Sequence, residues 1–328
     1  MTTRVRMINR ALVRELLPMH RCIDLMRDAF IQVSERRAIQ PIRQLVRTPD
    51  GKGMMGWMPG FADEPKRLGI KVITIFPEAI NQGIKSHQGA VMLFDPDNGL
   101  PLAMIDAGEI TAVRTAAATA VATGALARAD ARTLSIFGCG EQAESHLKAL
   151  AGARAWDTIT VWARDPDRAA RFVAREQPHC PVPLIIEADA ERAAAADVVT
   201  LVTGSEHPVL FGRWLKPGQH VNAVGSSIPS RAEVDSEAVR LCRYFADYKD
   251  SVVLLAGELK RARDAGIVTD DHVLGEVGEV LLGKVQGRRS SGDITLFKSL
   301  GMVAEDLISA GWVLEEAKRR DLGVVVGW

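Results

Sequence analysis

The sequence carries no surplus of charge of either sign. Its 328 residues hold 41 Lys and Arg against 41 Asp and Glu, so no basic field exists to neutralise a nucleic-acid backbone or to grip an anionic membrane. Cysteine is sparse. Cys22, Cys139, Cys180 and Cys242 form no CxxC and no paired spacing, which argues against a disulfide framework and for reduced thiols packed as small hydrophobes. The opening stretch MTTRVRMINRALVRELLPMH lacks the apolar centre of a secretory signal, and no later run reaches the roughly 18 charge-free apolar residues of a membrane span. Internal repeats and low-complexity tracts are missing as well. The expectation is a cytoplasmic protein whose partners are small molecules, with no nucleic acid, membrane or metal.

What is present is a chain with two rhythms. At 47% hydrophobic content its length suits two domains, each with its own core. A short strand at 5–8 and helices at 10–17 and 20–37 precede a β-rich stretch, 42–106. Within it RLGIKVITIF alternates, and AVMLFDPDNGLPLAMID reads as two strands around Asp97-Asn98-Gly99. A long alanine- and threonine-rich helix follows at 109–128. From Leu134 the order becomes strand, helix, strand, the pattern of βαβ units on a parallel sheet. The tail GMVAEDLISAGWVLEEAKRR returns to helix, with Val303, Leu307, Ala310, Leu314 and Ala317 on one stripe, and is expected to pack back on the first domain.

The stretch TLSIFGCGEQAESH, residues 133–146, is an apolar strand, a G-x-G-x-x-A turn and a segment able to open a helix. In that order Gly138 makes the tight turn, Gly140 lets the backbone approach a pyrophosphate, and Ala143 lets helix pack on strand. Glu141 and Gln142, inside the same turn, are counted with them as cofactor-binding. A carboxylate about 20 positions past the glycines marks an NAD site, whereas arginine there accommodates the 2'-phosphate of NADP. This sequence reads Ala163-Arg164-Asp165, with Arg164 21 residues beyond Ala143. NADP(H) is therefore expected over NAD(H), and the rival reading has Asp165 reaching the ribose. The expected fold is α/β: a Rossmann-type doubly wound parallel sheet over 116–304, and an α+β domain built from 1–115 with 305–328.

Three cations lie where cations are costly. Arg114 is the only charge among the 17 residues from Ile110 to Leu126, and a guanidinium in so apolar a helix must be paired or face a cavity. Lys71 shares a strand face with Ile73 and Ile75. Arg43, in PIRQLVR, is less telling because Arg47 sits nearby. Structural ion pairs would account for each singly; together the three suggest a pocket for a carboxylate.

The run IKVITIFPEAINQGIKSHQGAVMLFDPDNGLPLAMIDAGEITAVRTAAATAVATGALA, followed by IFGCGEQA, HPVLFGRWLKPGQHVNAVGSS and ITLFKSLGMVAEDL, resembles the ornithine cyclodeaminase/mu-crystallin family over nearly the whole chain. The resemblance implies a substrate-binding and dimerisation domain completed by the C-terminal helix, a Rossmann domain, and a homodimer. It places Arg43, Lys71 and Arg114 on the substrate carboxylate. It also sets Thr111 and Thr115 near cofactor or substrate, and Val224 of NAVG and Ser299 of LFKSLG beside the cofactor.

One position departs from part of the family. Where the cyclodeaminases and alanine dehydrogenases resemble one another in having an aspartate two residues after NAVG, this chain has Ser227, as mu-crystallin-like ketimine reductases do. A hydroxyl without an activator is no general base near neutral pH. Glu233 and Asp235 follow shortly and read as a surface loop and helix cap. The expected activity is NAD(P)H-dependent reduction of a cyclic imino acid to a cyclic L-amino acid. Lys71 or His87 would deliver the proton and Ser227 would lie at the reacting centre. Alternatives are a lyase converting ornithine to proline, an open-chain amino-acid dehydrogenase, and a non-catalytic NADP-dependent small-molecule binder.

Overall fold

The computed structural model describes residues 4–328. Strand β1 (Arg4–Ile8) leads into helices α1 (Arg10–Leu16) and α2 (Met19–Ser34). Asn9 starts α1 by accepting the Leu12 amide at 3.1 Å, satisfying one of the free donors at a helix start. Strands β2 (Gln44–Arg47), β3 (Met54–Ala62), β4 (Arg67–Ile75), β5 (His87–Phe94) and β6 (Pro101–Asp106) then run as an antiparallel meander, and α3 (Ala107–Leu126) follows.

Strands and helices alternate from there: β7 (Thr133–Phe137), α4 (Glu141–Ala153), β8 (Thr158–Trp162), α5 (Pro166–Glu176), β9 (Leu184–Ile186), α6 (Ala190–Ala193) and β10 (Val198–Leu201). They continue as β11 (His220–Ala223), α7 (Ser236–Leu241), β12 (Arg243–Ala246), α8 (Lys249–Leu255), α9 (Gly257–Asp264), β13 (Val273–Glu276), α10 (Val277–Leu281) and β14 (Thr295–Lys298). Helix α11 (Val303–Arg319) and strand β15 (Val324–Gly327) close the chain. Strand β15 was not expected from sequence. It is a four-residue edge strand whose pairing with β1 supplies the stability that its own length does not.

The chain divides into two compact units, one running up to Arg114 together with Met302–Trp328, the other spanning Thr115–Gly301. The first is built on a seven-stranded sheet in the order β15-β1-β6-β5-β4-β3-β2, with α11 packed on β3, β4 and α2. The second is an eight-stranded parallel sheet in the order β13-β12-β14-β11-β10-β7-β8-β9. Strand order reverses between β7 and β10. In parallel α/β sheets the crevice outside the carboxyl ends of the strands at such a point is where ligands bind. Among the described residues no helix is long and apolar enough to cross a membrane.

Candidate active site

Alternation along β4 puts Lys71 on the inward face with Ile73, and the lysine is only 3% exposed. An ammonium in that position needs compensation, and Asp306 provides it, with Oδ2 2.6 Å from Lys71 Nζ. Arg114 of α3, 4% exposed, donates from Nε to Asp306 Oδ1 at 2.9 Å and from Nη1 to Glu305 Oε2 at 2.5 Å. Both carboxylates are fully buried in the first turn of α11, and Glu305 Oε2 also accepts the Met302 amide at 3.1 Å. Negative charge is favoured at a helix start, so the turn is stabilised by the groups that hold the cations.

Arg43, half-buried, precedes β2 by one residue. The pairings Gln44↔Trp57 and Met58↔Lys71 bring it level with Lys71 two strands away, about 10 Å between backbones. Lys71 and Arg114 are thus paired with Asp306 and Glu305 at the start of α11, and Arg43 adds a third cation beside the edge strand of the same sheet. Burial pushes the Lys71 ammonium down to about 8, with Arg114 and Arg43 adding to the fall and Asp306 opposing it. A lysine so placed is charged at neutral pH yet able to release its proton. Thr111, one turn before Arg114, has a buried hydroxyl oxygen with no hydrogen-bond partner. His87 opens β5 opposite Ile75, on the same face but about 13 Å along the strands from Lys71, with Nδ1 2.9 Å from Ser86 Oγ.

In the second unit, β7 ends at Phe137 and Gly138 turns the chain at φ +129°. A Cβ there would also lie 2.9 Å from the Val202 carbonyl oxygen, so the fold itself requires glycine. Gly140 differs: it caps α4 at an ordinary φ, and a Cβ would meet no protein atom within 4 Å. The space in front of it is open for a pyrophosphate on the helix N-terminus. Ala143 is fully buried where α4 packs on β7, and Gln142 Oε1 in the same turn is buried without a partner. These residues fit a dinucleotide. Glu141 is the first residue of α4, and Thr115 of α3 is 7% exposed.

Arg164, just beyond β8, is exposed and lines a cleft of about 440 Å³ with Ser205 and His207. Asp165 caps α5, its Oδ1 accepting the Asp167 and Arg168 amides at 3.0 and 3.2 Å. Val224 and Ser227 follow β11, and Ser299 follows β14 with its amide on the Ala223 carbonyl at 3.1 Å. The expected surface position of Glu233 is corrected. Its side chain is fully buried, with Oε1 accepting the Thr203 amide and hydroxyl at 2.7 Å each and Oε2 accepting the Gly225 and Ser226 amides at 2.6 and 3.2 Å. Asp235 caps α7 as expected, accepting the Ala238 amide at 2.8 Å.

Residues 4–321 match the model of the ornithine cyclodeaminase/mu-crystallin family. The chain belongs to that family. It is 34% identical to the ketimine reductase mu-crystallin of Mus musculus over 277 residues, covering 84% of this chain and 85% of that protein. It is 33% identical over 312 residues to a Delta(1)-pyrroline-2-carboxylate reductase of Bacillus cereus, covering 94% and 96%. Among solved structures, the Delta(1)-pyrroline-2-carboxylate reductase of Thermococcus litoralis in complex with NADH and L-proline aligns with a TM-score of 0.94 at 30% identity, over 98% of this chain and 99% of that one.

Of the expected site residues, Lys71 and Arg114 share Asp306 as a partner, and Arg43 stands level with Lys71 on the sheet. The nucleotide turn, Val224, Ser227 and Ser299 follow strands of the second unit's sheet. Glu305 and Asp306 were not anticipated. The signal was two adjacent carboxylates opening an otherwise apolar helical stripe in GMVAEDL.

Proposed function

We propose that the protein reduces cyclic imino acids, ketimines such as Δ1-pyrroline-2-carboxylate or Δ1-piperideine-2-carboxylate, to cyclic L-amino acids. The observation that carries this reading is the buried Lys71, its ammonium lowered to about 8 and held by Asp306 beside Arg114. Arg43 and Arg114 bind the substrate carboxylate, and Thr111 offers it a hydroxyl. Lys71 delivers a proton to the ring nitrogen, directly or through a water, and keeps the imine in its charged, electrophilic form. A bound nicotinamide dinucleotide supplies the hydride. Orientation of this kind can account for about 7 to 11 kcal/mol of a barrier. The ketimine and pyrroline-carboxylate reductases among the relatives support the same chemistry.

A lyase would need another base in place of the family aspartate, either Glu233 or a water held by Ser227, and the structure speaks against Glu233. Ser227 stands where the cyclodeaminases resemble one another in an aspartate, and both oxygens of nearby Glu233 already accept amides. NADP(H) is the favoured cofactor, on the exposed Arg164 and on the capping role of Asp165. The four cysteines are free thiols, in keeping with a cytoplasmic setting.

The proposal includes a homodimer. On the face of the seven-stranded sheet opposite Lys71, an apolar cleft of about 730 Å³ is lined by Val72, Ala90, Met92 and Met104. A second copy covering that face would bury it. Sedimentation of the wild type against Met92→Arg tests this, a dimer going to monomer. The activity is tested by NADPH oxidation with the two cyclic ketimines, with L-ornithine and ammonia release as the lyase control.

A further inference from the structure

Lys298 and Glu258 are both fully buried, with Nζ 2.9 Å from Oε1. Replacing such a pair by apolar side chains is often neutral or stabilising, so stability alone does not account for it. Its geometry gives another reason. Lys298 is the last residue of β14, immediately before Ser299, and its Nζ also donates to the Ser226 carbonyl at 2.6 Å, immediately before Ser227. Glu258, at the start of α9, is steadied by the Tyr244 hydroxyl at 3.3 Å.

Each loop has a second anchor. The Ser226 amide donates to Glu233 while its carbonyl accepts from Lys298, so the peptides on both sides of that residue are fixed. The Ser226 hydroxyl is buried without a partner, which means that the backbone holds the loop. Beyond Ser299, Asp247 Oδ2 accepts the Leu300 and Gly301 amides at 2.6 Å each, and the Asp247 amide donates to the Lys298 carbonyl at 3.0 Å.

We propose that Lys298, paired with Glu258, is a positioning residue that locks the Ser226–Ser227 loop to Ser299, so that the two strand ends present one rigid surface to the nicotinamide ring. The proposal rests on the reading of this end of the parallel sheet as the nicotinamide site. It assigns to a buried ion pair a part in the reaction that it performs without touching substrate or cofactor.

The test compares the wild type with the double variant K298M/E258M, which removes both charges of the pair and leaves the buried Glu233 to its hydrogen bonds from Thr203, Gly225 and Ser226, and with K298R. Four quantities are read: melting temperature, NADPH dissociation constant, kcat and KM for Δ1-pyrroline-2-carboxylate, and the fluorescence lifetime of bound NADPH. In the double variant, melting temperature, dissociation constant and KM stay near wild type, kcat falls by about tenfold to a hundredfold, and the lifetime of bound NADPH shortens as the ring gains freedom. K298R recovers part of both kcat and lifetime. A folded double variant with unchanged kcat and lifetime overturns the proposal, as does a kcat loss that merely tracks lost folding or lost nucleotide binding. If the wild type reduces no ketimine, the substrate reading fails and the lifetime alone decides the positioning role. If the wild type does not bind NADPH, both fail.

Discussion

Asp306 touches both buried cations of the first unit, Oδ2 lying 2.6 Å from Lys71 Nζ and Oδ1 2.9 Å from Arg114 Nε. Because its charge opposes the lowering of the Lys71 ammonium, removing it shifts Lys71 further down. Lys71 donates only while protonated, so activity declines as pH rises through its value of about 8. In Asp306→Asn that decline moves to lower pH, and breaking the buried pair costs about 3 to 5 kcal/mol of stability. The kcat/KM profile between pH 6 and 10 checks the shift; an unmoved alkaline limb would show that Lys71 is not the titrating acid.

The two glycines of the nucleotide turn separate folding from binding. Gly138→Ala meets a positive φ and the Val202 carbonyl, and costs about 1 to 3 kcal/mol of stability. Gly140→Ala meets no protein atom, so its melting temperature stays at the wild-type value while NADPH affinity falls by about tenfold, 1.4 kcal/mol. Thermal melts and nucleotide titrations on both variants are the check.

Arg164→Ala distinguishes the nucleotides. A lost hydrogen bond to a charged group is worth about 1.5 to 3 kcal/mol, so NADPH affinity falls by about 10- to 100-fold with NADH affinity unchanged. Equal losses for both nucleotides, or a wild type that prefers NADH, would remove Arg164 from 2'-phosphate recognition.

Two histidines buried in the second unit set an acid limit. Burial pushes His146 down to about 4 and His220 down to about 3, from an ordinary value of 6.5. The unfolded chain takes up these protons first, so the contribution is complete above about pH 6.5 and is lost as pH falls toward the folded values. The slope is about 1.4 kcal/mol per pH unit for each histidine. Urea unfolding at pH 7.5, 6 and 5 measures it, and His146→Gln flattens the dependence.

Much of this was legible in the sequence for stated reasons. Gly138, Gly140 and Ala143 sit between a strand and a helix, where three different steric demands fall at fixed spacing. Lys71 and Arg114 stood out because each interrupts an apolar run. Their partners did not, because Glu305 and Asp306 lie far along the chain and read equally well as the acidic first turn that favours any helix start. Lys298 and Glu258 were hidden for a similar reason. A lysine at the end of TLFK and a glutamate in GELKR look solvated until the parallel sheet and α9 close over them. Glu233 was misplaced because a carboxylate that gathers amides from two separate loops leaves no periodic trace in either.

The most direct test of the account is NADPH consumption by the wild type and Lys71→Met on Δ1-pyrroline-2-carboxylate and Δ1-piperideine-2-carboxylate. The account predicts rapid consumption by the wild type with at least one ring, and in Lys71→Met a fall in kcat of about 10²- to 10⁴-fold with NADPH still bound. Wild-type protein that binds NADPH and reduces neither ring, or a Lys71→Met variant that turns over at the wild-type rate, would contradict it.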